Sequence, residues 1–190
     1  MAYGLIMGAR PNAERIGRDE WIREALALLL REGIAGVRVE PLAVRLNVTK
    51  GSFYWHFKDR AALHQAMLDQ WRAIATREII ERVERHGGSA REKLRRLIAL
   101  ATGGKAPGRL ETAMRGWARQ DAAVAEAVAA ADGERIAYVS GLLRALGIKP
   151  GVADLRARIL YLALIGSYFS QAERSSAGRG LWREIENLIS

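Results

Sequence analysis

No cysteine occurs among the 190 residues of this chain. That absence excludes a disulfide framework, a thiol redox switch and a thiolate metal site. Histidine is scarce, with three copies, and His64 and His86 have no partner His or acid at i, i+4 spacing, so no metal site is expected. No run approaches the roughly 20 apolar residues that a bilayer span requires. The opening MAYGLIMGAR has no long apolar stretch of the secretory type, so a cytoplasmic protein is expected, with no membrane partner. A β pattern is missing along the whole chain. There is also no nucleophile set beside a base, no paired carboxylates in an apolar setting and no phosphate loop, so neither catalytic residues nor a cofactor are expected.

What is present is ordinary globular material, 49% hydrophobic and 27% charged, enough for one sizeable core or two small ones. The formal net charge is +9, which by itself says little, because the excess is spread along the chain. Residues 1–60 hold ten Lys/Arg against seven Asp/Glu, and residues 61–190 hold twenty against fourteen. Local charge is more telling. Arg45, Lys50, Lys58 and Arg60 face only Asp59 within one short segment, where phosphate neutralisation would be needed. Arg10, Arg15 and Arg18 add a basic N-terminal arm, read either as a groove-tracking element or as a solvated tail.

That segment, Leu42 to Leu63, reads LAVRLNVTKGSFYWHFKDRAAL. Leu42, Ala43 and Leu46 mark one face of a short helix, and Val48, Phe53 and Phe57 continue the buried face into a second. Asn47 suits the left-handed conformation of a sharp turn between them, and Thr49 is expected to cap the second helix with its side chain. The spacing therefore predicts a helix-turn-helix, with helix two from Val39–Pro41 to Leu46 and helix three from Thr49 or Lys50 to His56. Lys50, Gly51, Ser52, Tyr54, Trp55 and His56 then face outward, followed by Lys58 and Arg60. A short helix without acids and tipped with hydroxyls and cations suits the DNA major groove. Gly51 weakens a helix by roughly 0.5 to 1 kcal/mol relative to Ala, which makes sense if a ligand approaches its backbone closely.

From Trp21 to Leu68, with YWHF at Tyr54–Phe57 as its most specific part, the chain resembles the TetR family of bacterial transcriptional regulators. The resemblance implies an all-α fold: an N-terminal three-helix DNA-binding domain followed by a helical ligand-binding and dimerisation domain, about nine helices in all. Residues 1–17 would form the arm, 18–60 the DNA-binding domain and 61–190 the remainder. It also implies that Lys50, Gly51, Ser52 and Trp55 meet base edges, while Thr49, Tyr54, His56, Lys58 and Arg60 grip phosphates. Chemistry agrees with that division: Lys50 can donate to guanine, Ser52 to several bases, and Trp55 can lie against a thymine methyl. Two positions depart from the family pattern. Val37 stands where a hydroxyl at the start of helix two is common, and Glu40 with Pro41 replaces a polar or basic residue and a free N–H.

Helical periodicity continues to the end of the chain. A first helix is expected from an N-cap at Asp19, with Trp21 or Ile22, Ala25, Leu26, Leu29 and Leu30 inward. A fourth runs from its cap at Asp59 to about Arg85, with Leu63, Ala66, Met67, Trp71, Ile74 and Ile79 buried. A fifth holds Leu94, Leu97, Ile98 and Ala101, a sixth spans Arg109 to Trp117, a seventh runs from Asp121 to Gly147, an eighth from Ala153 to Glu173, and a ninth from Gly180 to Leu188. Leu155, Ile159, Leu162, Gly166 and Phe169 in the eighth, with Leu181, Ile185 and Leu188 in the ninth, form apolar stripes that suit a two-fold homodimer interface. Dimerisation also fits DNA reading, since two short recognition helices need a palindromic double-stranded operator to gain useful affinity.

The same resemblance implies an unidentified small-molecule effector among helices four to eight. Met114, Trp117, Tyr138, Tyr161, Tyr168 and Phe169 are the candidate lining residues, each also suited to a plain core. The expectation is thus a dimeric repressor released by an effector. Its alternatives are a non-specific nucleic-acid-binding protein and an enzyme with a structural helix-turn-helix.

Overall fold

The computed structural model describes residues 16–103 and 106–170, and among these every regular element is helical. Helix α1, Arg18–Glu32, starts when the Glu20 carboxylate accepts the Gly17 N–H at 3.0 Å. Asp19 therefore lies inside the first turn and is not the cap. Trp21, Ile22, Ala25, Leu26, Leu28 and Leu29 are buried, so Leu28 takes the inward place expected of Leu30. Gly33, at φ 70, ends the helix.

A 3-10 turn over Ile34–Gly36 then leads to α2, Val39–Leu46. Val37 is fully buried ahead of α2, so it is a core residue and not the first helical position. Asn47 ends α2 in the left-handed conformation, φ 57 and ψ 44, as its tolerance for that region predicts. Helix α3, Lys50–Tyr54, follows after two residues, and Trp55 and His56 lie in the turn beyond it rather than in the helix. Thr49 occupies the N-cap position without a side-chain cap bond; its backbone carbonyl accepts from Ser52 N–H at 3.0 Å. Asp59, by contrast, caps α4 through its side chain, accepting from Ala62 N–H at 2.8 Å.

The expected fourth helix is a continuous helical run in three parts: α4, Arg60–Arg72, a π-helical segment Ala73–Arg77, and α5, Glu78–Arg85. The rest comprises α6, Ala90–Thr102, opened by a reciprocal Ser89–Glu92 capping box, then α7, Ala106–Ala118, α8, Ala122–Ala145, and α9, Pro150–Phe169. Proline at the first turn of α9 costs no hydrogen bond there. The expected ninth helix, with Leu181, Ile185 and Leu188, lies outside the described residues, as do Arg10 and Arg15. No helix among the described residues is long and apolar enough to cross a membrane.

Two compact units emerge. The first runs to Ile74 and takes in Ala113–Ala127; the second holds Ala75–Thr112 and the chain from Val128. The first unit therefore extends past residue 60 into α4. Its core centres on Phe53, whose ring meets Trp21 edge-on at 5.4 Å and stacks on Phe57 at 5.3 Å. The second unit's core gathers Leu94, Leu142, Leu143, Ala153 and Ala157. Gly108 belongs there for a steric reason: a Cβ on it would stand 2.7 Å from the Tyr168 ring.

Candidate nucleic-acid interface

Four aromatic residues at the end of α3 and just beyond it, Phe53, Tyr54, Trp55 and Phe57, divide between core and solvent. Phe53 and Phe57 are buried, while Tyr54 and Trp55 are 56% and 88% exposed. Removing a Trp from water is among the largest hydrophobic gains a side chain offers, so a Trp left this open invites a ligand. Lys50, Gly51, Lys58 and Arg60 are exposed too, with Ser52 and His56 half-buried. Exposed Val44, on α2, extends the surface. A Cβ added to Gly51 would touch only Thr49 Oγ1, at 3.7 Å. The chain itself therefore has room for Ala at that site.

The cations of this face are less free than their sequence suggests. Lys50 pairs with Glu40 across the starts of α3 and α2. The hydrogen bond to Lys50 holds the Glu40 carboxyl below its ordinary pKa, and the same bond holds the Lys50 ammonium above its own. Arg45 pairs with Glu24 of α1, which also holds Arg31 at 3.2 Å. Arg60 donates to His64 Nε2 at 3.2 Å and to the Ile34 carbonyl at 3.5 Å. Arg18, assigned to the arm by sequence, is the first residue of α1 and sits over the Phe57 ring at 5.1 Å. Among the described residues neither Lys58 nor Arg60 is set in an ion pair, and Arg60 is held only by neutral acceptors. Glu24 and Glu40 went unweighed in the local charge count because α1 and α2 bring them in from outside the segment.

His64 anchors the base of α4. Its ring meets Trp117 edge-on at 4.9 Å. Burial lowers its pKa, the Arg60 guanidinium lowers it further, and Asp121 opposes both. The neutral ring accepts from Arg60 and cannot do so when protonated at both nitrogens.

The candidate effector residues divide between the two units. Met114 and Trp117 are buried in the first unit, whereas Tyr138, Tyr161, Tyr168 and Phe169 belong to the second. Tyr138 donates to Glu84 at 2.6 Å, and Tyr168 to the Ala101 carbonyl at 2.9 Å. Phe169 is 60% exposed, which fits an outer face and not an enclosed lining. Tyr161 joins a buried cluster that sequence reasoning missed. Arg135 donates to Thr76 Oγ1 at 2.9 Å, to Glu111 at 3.2 Å and to the Tyr161 hydroxyl at 3.0 Å, while Tyr161 donates to Asp132. Burial works against the Arg135 charge, but Glu111 and Tyr161 outweigh it and its pKa is raised. Burial pushes the Tyr161 phenol up, and Asp132 adds to that against the pull of Arg135. Only the Asp132–Arg135 spacing of three was visible in sequence.

On α9, Leu155, Ile159, Leu162 and Phe169 are all more than half exposed. Gly166 interrupts the stripe with open space around it.

The family model of bacterial regulatory proteins, tetR family, matches residues 22–67. Over 55 residues the chain is 40% identical to the tetracycline repressor protein class C of Escherichia coli, covering 29% of this chain and 25% of that protein. Over 76 residues it is 33% identical to the probable acrEF/envCD operon repressor of Escherichia coli K12, covering 40% of this chain and 34% of that one. The chain thus spans about a quarter to a third of the curated relatives it matches. Among solved structures, a putative TetR-family transcriptional regulator from Rhodococcus sp. superposes with TM-score 0.69 at 22% identity, over 91% of this chain and 98% of that one. The reduced form of Escherichia coli NemR does so with TM-score 0.73 at 22% identity, over 90% and 93%. At that identity the two structures speak for the fold.

Proposed function

Because the chain belongs through its DNA-binding domain to the tetR family of bacterial regulatory proteins, we propose that it is a dimeric, sequence-specific repressor released from a palindromic operator by a small-molecule effector. The observation that carries this reading is the division of the aromatic run: Phe53 and Phe57 anchor α3 in the core while Tyr54 and Trp55 stay exposed beside Lys50 and Gly51. Lys50, Gly51, Ser52 and Trp55 meet base edges. Thr49, Tyr54, His56, Lys58 and Arg60 position the helix on phosphates, Arg60 after leaving the Ile34 carbonyl.

Dimerisation is supported by the exposed stripe Leu155, Ile159, Leu162, Gly166 and Phe169 on α9. A five-residue recognition helix reads few base pairs, so two copies on a palindrome about 34 Å apart, or a multiple of that, supply the missing affinity. Ile159→Glu places a charge in the stripe and is expected to give monomers in sedimentation and to abolish operator shifts. A variant that stays dimeric would remove α9 from the interface.

Effector release is supported by the helical run from Arg60 to Arg85, which joins the reading end covalently to the second unit. A ligand that binds one state of that unit more tightly shifts operator affinity by its differential affinity. Tyr138, Tyr161 and Tyr168 are the second-unit residues suited to an aromatic or apolar effector. The test is a gel shift on the DNA upstream of the chain's own coding sequence, with random DNA as competitor and a chemically broad library as effector source. Preference for the upstream DNA, lost with at least one compound, is expected. Equal binding to both DNAs would favour a non-specific nucleic-acid-binding protein, and a shift that no compound changes would remove the release step.

A further inference from the structure

Glu40 is out of place on a surface built for phosphates, yet it stands where α2 and α3 begin together, paired with Lys50. Both side chains are more than half exposed. One turn along each helix stand exposed Val44 and Tyr54, so the pair opens onto the same solvent-facing surface. An exposed ion pair stabilises a fold little. Structural support for the domain is therefore a weak reason for this one, and the chemistry of the face offers a better one.

A carboxylate only accepts and an ammonium only donates. In the major groove the donors are cytosine N4 and adenine N6, and the acceptors are purine N7, guanine O6 and thymine O4. In a Watson–Crick G·C pair, O6 and N4 are hydrogen-bonded to each other, about 2.9 Å apart. A carboxylate and an ammonium already within hydrogen-bonding distance of one another match that span, donor facing acceptor twice over. An A·T pair offers a similar span with N6 and O4, but O4 is flanked by the thymine methyl. Guanine instead presents two adjacent acceptors, O6 and N7, to the same ammonium.

We propose that Glu40 and Lys50 act as one reading unit for a G·C pair in each half-site, Lys50 donating to guanine O6 and N7 while Glu40 accepts from cytosine N4. This rests on the reading of α3 as a recognition helix. Glu40 contributes discrimination more than affinity: on other sequences its oxygens face acceptors and phosphates and repel them, which penalises the wrong partner. Glu40, one of the departures from the family pattern, is thus a specificity residue.

The experiment is selection of bound duplexes from a random pool by the full-length protein, Glu40→Ala and Lys50→Ala, followed by affinities for the selected site and for its version with the assigned G·C pair changed to A·T. The wild type should enrich a palindrome with one G·C position per half-site and lose roughly tenfold or more on the change. Both variants should lose preference at that same position. Glu40→Ala should bind random DNA at least as tightly as the wild type. The proposal is overturned if Glu40→Ala keeps the preference, if the variants alter different positions, or if the shared position is A·T. A wild type that enriches no sequence would overturn the recognition-helix reading itself, a result distinct from all of these.

Discussion

Arginine and lysine meet opposite treatment in the two units. In the first unit, Lys50 pairs with Glu40 in the open, whereas in the second Arg135 is largely buried among Thr76, Glu111 and Tyr161. Glu111 is 4% exposed and Thr76 1%. Water screens the first pair, so exchanging its partner for a base or a phosphate changes little in the fold. The second cluster has lost its hydration and depends on internal partners, which makes it strong when complete and costly when incomplete. Exposed charge here is available to a ligand, and buried charge ties helices together.

The largest effect should come from breaking the buried side. Arg135→Met is expected to lower unfolding stability by about 3 kcal/mol in denaturant titration, because it strips a buried carboxylate of its cation. Coupling it with Glu111→Leu should recover much of the loss. A single variant as stable as the wild type would mean that the cluster is effectively hydrated and the contrast false.

Gly51→Ala sharpens the exposed side, where fold and function should move in opposite directions. Stability should rise by about 0.5 to 1 kcal/mol from helix propensity, while operator affinity falls in a gel shift as the methyl group meets the groove. Unchanged affinity would show that nothing approaches that backbone. Next in size, Lys58→Ala should weaken binding to operator and random DNA alike and reduce the slope of log affinity against log salt by about 1. A change in sequence preference would move Lys58 from the phosphates to the bases.

The smallest effect concerns His64. Its folded pKa lies below the unfolded value, near 6.5, so the unfolded chain binds the proton more readily. The stabilisation is complete above the unfolded pKa and declines as pH falls toward the folded one, then levels off. Thermal melts between pH 7.5 and 5 should show that decline, and His64→Gln should flatten it.

Much of the fold could be read locally. Asn47 at a left-handed turn, Asp59 as a side-chain cap, and the inward Phe53 and Phe57 all follow from backbone preference and helical period. The errors were local as well, where several groups compete for one role: Glu20 closes the turn assigned to Asp19, and Thr49 caps without its hydroxyl. The π-helical segment at Ala73–Arg77 lies within a helical run whose continuity periodicity gave but whose change of winding it did not. For the candidate site, the outward residues were legible but their partners were not. Glu40 lies ten residues from Lys50, and Glu24 twenty-one from Arg45. Glu111 lies twenty-four from Arg135 and Thr76 fifty-nine.

By itself the sequence determined helix type, the sharp turn before α3 and which aromatic side chains leave the core, because each depends on neighbours within a turn or two. Only the tertiary structure decided which acid holds which cation, that Lys50 pairs with Glu40, and that Arg135 is largely withdrawn from water. Those pairings depend on how helices distant in sequence meet, and a charge has no preferred partner until packing brings one within a few ångströms.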